Sequence, residues 1–404
     1  MDITEIWEDL VWDRGGRIIY LILDGLGGIP HPDRGLTELQ AAHTPNFDAL
    51  AQASSCGLLE IVGPGITPGS GPGHLTLFGY DPLKYRIGRG VLSALGIDFD
   101  LQPGDVAARA NFATLGPDGQ VSDRRAGRIA TNLNQRLTQK IRDRVSLDFE
   151  GTFFFETVSE HRAVLVLRGA DLSGQVQDTD PQSPGIAPHP PKATATKGEK
   201  TARLVQSFLR QVTEVLADEH PANGVLLRGF ERFDPLPSLY ERFALKGVGI
   251  ADYPMYRGVS RLLGMDVVPH PGGLEARFDT LTSIYGDEYS FYFIHVKKTD
   301  SLGEDADFDS KVAKLEQIDQ LLPKITALNP EVLVVTADHS TPAVMGRHSW
   351  HPVPMMLKAQ YARVDQVDRF DDYACAHGLL GRRPGTHLMG LALANAGRMQ
   401  KYGA

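Results

Sequence analysis

Ile18-Ile19-Tyr20-Leu21-Ile22-Leu23-Asp24-Gly25 decides the fold. Six consecutive apolar residues leave no polar face, so the run reads as a strand buried on both sides, as in a parallel sheet covered by helices. It halts at Asp24-Gly25. Two later stretches repeat the pattern. Residues 292–296 form an apolar run that ends near Thr299-Asp300, and residues 332–335 form another that ends at Ala337-Asp338-His339. Residues 315–322, between them, read as a crossover helix. In an open parallel sheet, ligands bind beyond the carboxyl ends of the strands. Asp24, Asp300 and Asp338 are therefore expected to converge although hundreds of residues separate them. Any one Asp at a strand end is also a common turn former or cap. Three together place uncompensated negative charge in one spot, and cations relieve that. The neighbours Glu304, His339 and His348 suit metal ligation. Carboxylate with imidazole fits Mn²⁺, Zn²⁺, Co²⁺ or Mg²⁺, the imidazoles tilting against Mg²⁺ alone.

Working outward, Thr44-Pro45 reads as a helix start, with Thr44 as N-cap and Pro45 in the first turn. Residues 63–73 read as a Gly/Pro loop and residues 74–80 as a short helix after it. Ser70 lies in that loop, in Gly69-Ser70-Gly71, with Pro68 and Pro72 outside it. The G-x-S-x-G elbow of hydrolases is thus absent. A hydroxyl is a weak nucleophile until a base or a metal activates it, and metal is the activation this neighbourhood supports. Asp24-Gly25-Leu26-Gly27-Gly28 lacks the last Gly of a dinucleotide fingerprint, and no helix is expected to open there.

From about residue 103 the texture turns polar and Arg-rich, with Ser122-Asp123-Arg124-Arg125-Ala126-Gly127-Arg128 and then a helix to about 145. Residues 153–155 and 162–167 read as strands, 181–200 as a loop. Residues 202–217 carry apolar side chains at helical spacing and read as an amphipathic helix. After about 235 the buried α/β texture returns.

The 404 residues are 42% hydrophobic and 23% charged, an ordinary globular balance that is long for one domain and comfortable for two. The net charge of −9 argues against nucleic acid as partner. Two cysteines, Cys56 and Cys375, make no disulfide framework and fit a reducing compartment. The start of the chain, acidic with Trp7 and Trp12, lacks the features of a signal peptide, and no run approaches the roughly 20 residues of a membrane span. A cytoplasmic location is expected, with no membrane partner.

Asp24-Gly25, the 44–51 stretch, the Ser70 loop, Gly88-Arg89-Gly90, the 123–128 run, Glu160-His161-Arg162, Tyr256-Arg257-Gly258-Val259, Asp300 with Glu304, and Thr336-Ala337-Asp338-His339-Ser340 together resemble the alkaline phosphatase superfamily. Within it the chain is most similar to the cofactor-independent phosphoglycerate mutases of the archaeal type. The resemblance spans residues 18 to about 360. It implies an α/β fold: an alkaline-phosphatase-like core with a mostly parallel sheet sandwiched by helices, formed by residues 1–102 and 235–404. A smaller α+β lid domain, residues 103–234, is inserted for substrate binding. It implies one metal held by Asp24, Ser70, Asp338 and His339, and a second held by Asp300, Glu304 and His348. The family commonly has His four residues after the Asp300 position. Glu304 stands there instead and favours harder metals. His348 is preferred to His351 by its spacing from Pro352.

The reaction so implied interconverts 3-phosphoglycerate and 2-phosphoglycerate through phosphoserine at Ser70, with two divalent metals, Mn²⁺ first among them, and no 2,3-bisphosphoglycerate. Arg125, Arg128, Arg162, Arg228 and Arg257, with His161, are the expected substrate holders, and Asp123 the expected proton shuttle. Two other readings remain at this stage: a metal-dependent phosphatase or different phosphomutase on the same scaffold, and a non-catalytic protein that binds metal and a metabolite. Oligomeric state is not readable.

Overall fold

The computed structural model describes residues 3–269 and 272–403. Met1 and Ala404, the outer ends of the expected core segments, lie outside the described residues. The chain divides into two compact units, Met1–Arg86 with Pro237–Ala404, and Ile87–Leu236. Thirteen strands occur among the described residues. In chain order they are β1 (Ile18–Leu23), β2 (Ser55–Glu60), β3 (Val106–Leu115), β4 (Val121–Asp123), β5 (Gly151–Ser159), β6 (Arg162–Gly169) and β7 (Gly224–Arg232). There follow β8 (Gly247–Ile250), β9 (Asp266–Val267), β10 (Phe291–Val296), β11 (Val332–Thr336), β12 (Val353–Ala359) and β13 (Gly381–Pro384).

The first unit is built on an eight-stranded sheet, ordered β13-β2-β12-β11-β1-β10-β8-β9. Strands β11, β1, β10, β8 and β9 run parallel to one another, and β12 runs antiparallel to both its neighbours. All six residues of β1 are buried, and β10 and β11 are buried along their whole lengths. The three strands expected to deliver carboxylates are therefore adjacent, in register, with β1 at the centre. Burying about 20 branched and aromatic side chains in such a sheet contributes some 1.5–3 kcal/mol each before the entropy of ordering is charged against it. The helix Phe308–Thr326 is the crossover between β10 and β11. It starts at Asp307, whose side chain accepts a hydrogen bond from Ser310 N at 3.0 Å, and the strand-to-strand passage is long enough for a parallel connection.

Two local readings change. The helix after the Gly/Pro loop begins at Ser70, not at 74, and runs Ser70–Leu77 with Gly69 as N-cap. Pro72 is compatible with this because the first turn's N–H groups have no partner inside the helix, so a missing one costs nothing there. Asp300 does not end its strand. It sits in the first turn of a separate helix, Lys298–Glu304, which Lys297 alone separates from β10.

The second unit carries an antiparallel sheet in which β3 pairs with β6, β7 and β4, and β6 pairs with β5. The helices Thr131–Arg144 and Glu199–Val215 cover one face, packing Leu137, Ile141, Val205, Phe208 and Val212 against Val106, Ala108, Ala110 and Phe112. On the opposite face Ala107, Val164 and Val166 meet Val91 and Ala94 of the helix Arg89–Gly96. No helix among the described residues is long and apolar enough to cross a membrane.

Candidate active site

At the carboxyl ends of the central strands the structure gathers Asp24, Asp300 and Asp338, all three with no exposed surface. Each arrives differently. Asp24 follows β1 directly, Asp338 stands two residues past β11, and Asp300 projects from its short helix. Gly25 takes a left-handed conformation, φ +66°, and a Cβ there would lie 2.6 Å from Thr341 Oγ1. Only Gly lets the two loops lie this close. Gly73 serves the same end for Ser70: a Cβ on it would sit 2.3 Å from the Asp338 carbonyl oxygen, so the helix Ser70–Leu77 can press against the Asp338 loop.

Ser70 is nearly buried, and its Oγ lies 3.3 Å from Nε2 of His339. That same nitrogen is 3.3 Å from Asp24 Oδ1 and 3.3 Å from Asp338 Oδ2. The other ring nitrogen, Nδ1, lies 3.0 Å from Thr341 Oγ1, whose hydroxyl donates to Asp300 Oδ1 at 2.6 Å. A carboxylate only accepts, so the single hydroxyl proton of Thr341 is committed to Asp300. Thr341 must then accept from His339 Nδ1–H, which leaves the lone pair of Nε2 facing Ser70 and the two aspartates. Burial pushes the His339 imidazole down despite Asp338 and Asp24, in keeping with a neutral ring. His348 is oriented alike: Nδ1 lies 3.0 Å from the Pro68 carbonyl, which only accepts, and Nε2 stands 3.4 Å from Asp300 Oδ1 and 3.7 Å from Glu304 Oε1. The rings of His339 and His348 stack with centroids 3.7 Å apart.

Two groups of ligand-type atoms result, Asp24 with Asp338 and His339, and Asp300 with His339 and His348. Three observations fit divalent cations. Asp24 Oδ1 and Asp338 Oδ2 are fully buried and, among the described residues, have no well-aligned hydrogen-bond donor, His74 Nδ1 lying 3.2 Å and His339 Nε2 3.3 Å from Asp338 Oδ2; native interiors otherwise avoid such an arrangement. Each histidine gives its Nδ1–H to a protein acceptor and aims Nε2 at carboxylates, the orientation of an imidazole ligand; burial would lower His348, but Asp300 lifts it to about 9, so its Nε2 carries a proton that a metal ion would displace. The donor set is carboxylate and imidazole. Ser70 Oγ adjoins the first group. Glu304 Oε1 lies 3.7 Å from His348 Nε2 and its side chain is 54% exposed, so it stands at the rim of the second group.

The charge is partly balanced by the protein itself. Lys297 Nζ lies 3.4 Å from Asp24 Oδ2 and also bonds the Asp300 carboxylate. Burial would raise Asp24, but Lys297, His295 and His339 hold it well below the usual carboxylate range. Burial and the Asp24 charge would raise Asp300 as well; the hydrogen bond from His348 and the Lys297 charge bring it to about 2. Behind Asp24 sits an aromatic layer. The Tyr256 hydroxyl donates to Asp24 Oδ2, its ring stacks on His295 at 3.6 Å, and His74 Nδ1 donates to the Ser70 carbonyl at 2.8 Å.

The remaining expected residues divide between the units. Arg257 follows Tyr256 on the helix Pro254–Leu262. Arg125, Arg128, His161, Arg162 and Arg228 lie in the inserted unit. There, register puts Arg162, Asn111 and Leu226 in one row across β6, β3 and β7, and Val164, Arg109 and Arg228 two residues along, on the same face. Opposed residues on antiparallel strands point to the same face, so Arg109 and Arg228 are a like-charged cross-strand pair, which costs stability. Burial, then Arg109 and Arg89, push the Arg228 guanidinium down to about 10. Burial, Arg162, Arg109, Arg125 and Arg128 push His161 down to about 3. Arg124 forks onto Asp180 at 2.8 and 2.7 Å, and Arg228 lies 4.0 Å from the same carboxylate. Such a concentration of partly buried arginines is matched to an anion. Asp123 accepts from Arg125 N at 2.8 Å and Gly127 N at 2.6 Å. Burial would raise it, but those N–H groups hold it below the usual range, as a carboxylate.

Sequence reasoning assigned no role to Lys297, Tyr256, His295, His74, Thr341, Arg109 or Asp180. His295 carried a signal, a lone imidazole inside an apolar strand. The others gain meaning only from partners distant in the chain.

A model of the family described as 2,3-bisphosphoglycerate-independent phosphoglycerate mutase matches residues 51–223. A Thermus thermophilus protein named probable 2,3-bisphosphoglycerate-independent phosphoglycerate mutase is 48% identical, the alignment covering 100% of both chains. A Deinococcus radiodurans protein of the same name is 46% identical, again over 100% of both. Among solved structures, a Pyrococcus horikoshii protein superposes with a TM-score of 0.82 at 28% identity, covering 96% of this chain and 100% of that one. The cofactor-independent phosphoglycerate mutase of Thermoplasma acidophilum superposes with a TM-score of 0.66 at 31% identity, covering 94% and 100%.

Proposed function

This chain belongs to the 2,3-bisphosphoglycerate-independent phosphoglycerate mutase family, and from that premise we propose how its residues divide the work. It interconverts 3-phosphoglycerate and 2-phosphoglycerate without requiring 2,3-bisphosphoglycerate. The observation that carries the mechanism is Ser70 Oγ, 3.3 Å from the inward lone pair of His339 and adjoining two buried carboxylates. Ser70 is the nucleophile. Asp24, Ser70, Asp338 and His339 would hold one divalent metal ion, and Asp300, Glu304 and His348 a second, Mn²⁺ being the first choice for this donor set. Bound there, such ions neutralise phosphoryl oxygens and lower the pKa of a nearby hydroxyl.

In the first half-reaction the Ser70 Oγ–H bond breaks, Oγ bonds to phosphorus, and the bond from phosphorus to the substrate's 3-oxygen breaks. The 3-oxygen takes up a proton, and glycerate, neutral at that hydroxyl, stays bound and reorients. In the second, the 2-hydroxyl gives up its proton and its oxygen takes the phosphoryl group from Ser70, which recovers its own proton. Asp123, a carboxylate held by two backbone N–H groups, is the carrier of a proton between these oxygens. Arg125, Arg128, His161, Arg162, Arg228 and Arg257 bind the carboxylate and phosphate and keep glycerate from leaving. Tyr256 and Lys297 fix the Asp24 carboxylate.

The test is an enolase-coupled assay with 3-phosphoglycerate, Mn²⁺ and no 2,3-bisphosphoglycerate. Activity is expected in the wild type, lost on chelation and at least 10³-fold lower in Ser70→Ala, in line with removal of a nucleophile. Phosphate release without formation of 2-phosphoglycerate would overturn the mutase reading in favour of a phosphatase.

A further inference from the structure

The helix Phe308–Thr326 buries one ammonium group that the reaction does not use. Lys311 has no exposed surface, and its Nζ donates to the carbonyl oxygens of Gly25 at 3.0 Å and Thr341 at 2.9 Å. Its third neighbour is Glu38 Oε1, 3.5 Å away, itself buried and accepting from Ala343 N at 2.7 Å. An ammonium carries three donors and no acceptor, and a buried one is costly unless each is answered. Here two of the three answers are backbone carbonyls from the two loops that carry the inward-facing carboxylates.

What those carbonyls belong to gives the arrangement its purpose. Gly25 is the residue after Asp24. Thr341 is two residues from His339 and three from Asp338, and its hydroxyl bonds Asp300 and His339, one member of each ligand group. The Gly25 carbonyl also accepts from Thr341 N at 3.2 Å. Two carbonyl dipoles thus turn their negative ends to one ammonium. With nothing positive there, these two buried carbonyl oxygens would face each other across the junction of the loops and repel.

We propose that Lys311 is a positioning residue for both metal sites: its ammonium, neutralised by Glu38, clamps the loop after β1 to the loop after β11 and so sets the spacing of Asp24, Asp338, His339 and Asp300. This rests on the reading of those residues as metal ligands. Lys311 acts on them through Gly25 and Thr341.

Mn²⁺ binding to the metal-free protein, followed by calorimetry, tests the clamp without reference to catalysis. Outer-shell partners of metal ligands typically change affinity 10–100-fold, so Lys311→Met is expected to weaken Mn²⁺ binding about tenfold or more. The double variant Lys311→Met/Glu38→Gln is expected to stay equally weak, because it removes the clamp while leaving no unpaired charge between these two positions. It also carries the measurement should Lys311→Met alone fail to fold. Recovery of wild-type affinity in the double variant would overturn the proposal, since the defect would then come from the stranded Glu38 charge. Unchanged affinity in Lys311→Met would overturn it too. A wild-type chain that binds no Mn²⁺ would overturn the metal reading itself, and the clamp with it; normal wild-type binding with no effect of Lys311→Met overturns the clamp alone.

Discussion

Replacing Thr341 by Val keeps the shape of a fully buried side chain and deletes one hydroxyl. That hydroxyl has two partners, Asp300 Oδ1 at 2.6 Å and His339 Nδ1 at 3.0 Å. Losing a hydrogen bond to a charged group costs about 1.5–3 kcal/mol, and stranding a buried neutral donor costs about 1–3 kcal/mol. Asp300 keeps Lys297 and His348, so the lower end of the first range applies, and the sum is roughly 3 kcal/mol of stability in the metal-free protein. A second consequence is specific to ligation. Without its acceptor, Nδ1–H of His339 no longer defines the tautomer that turns the Nε2 lone pair inward, and Mn²⁺ affinity should fall about 10–100-fold. Urea unfolding of the metal-free protein reads the first effect and Mn²⁺ calorimetry the second. Thr341→Ser, which keeps the hydroxyl, should bind Mn²⁺ within about threefold of wild type, the loss of one methyl being a packing change. If Thr341→Val unfolds at the wild-type urea concentration and binds Mn²⁺ as tightly, the hydroxyl orients nothing and the tautomer argument fails.

Gly73→Ala would place a Cβ 2.3 Å from the Asp338 carbonyl oxygen; the helix bearing Ser70 must shift, and a stability loss of about 1–3 kcal/mol with a fall in kcat is expected by urea unfolding and the coupled assay. Asp180→Asn breaks the two-pronged bond to Arg124 and removes a carboxylate 4.0 Å from Arg228, which should cost roughly 3 kcal/mol and raise KM for 3-phosphoglycerate more than it lowers kcat. His161, lowered to about 3 by burial and by Arg162, Arg109, Arg125 and Arg128, is neutral in the fold. An unfolded His takes up a proton below about 6.5, so the stability gained by keeping it neutral is complete above that pH and is lost as pH falls toward 3. Wild-type stability should therefore drop between pH 6.5 and 4 by up to one proton's slope more than that of His161→Asn, measured by urea unfolding across that window.

Much of the core was legible before folding was considered. Strands β1, β10 and β11 are buried on both faces, and a strand so buried must be apolar at every position, which leaves a mark in the chain. Their carboxyl ends then locate Asp24 and Asp338, because ligands of a parallel sheet gather there. The start of the helix at Ser70 was not legible, since Gly and Pro in a first turn look like a loop, and the missing N–H of Pro72 is harmless in a place where N–H groups bond outside the helix. Asp300 reads in the sequence as a strand-end carboxylate, but it belongs to the short helix that follows the strand, because a helix start after so few residues leaves no periodic mark.

What tertiary structure alone decided is which group answers which. Periodicity reports that a residue is buried and says nothing about its partner. Lys311 sits 286 residues from Gly25 and Tyr256 sits 232 from Asp24, pairings that exist only because β1 lies between β10 and β11. The Arg109–Arg228 pair follows from strand register in the inserted unit, and no composition could announce it. Apolar runs that stop at acidic residues were enough to gather carboxylates, imidazoles and Ser70 at the ends of a parallel sheet. The folded chain decided their tautomers, their hydrogen bonds and the ammonium that clamps their loops, because hydrogen bonds depend on distance and direction, and both are set by long-range packing.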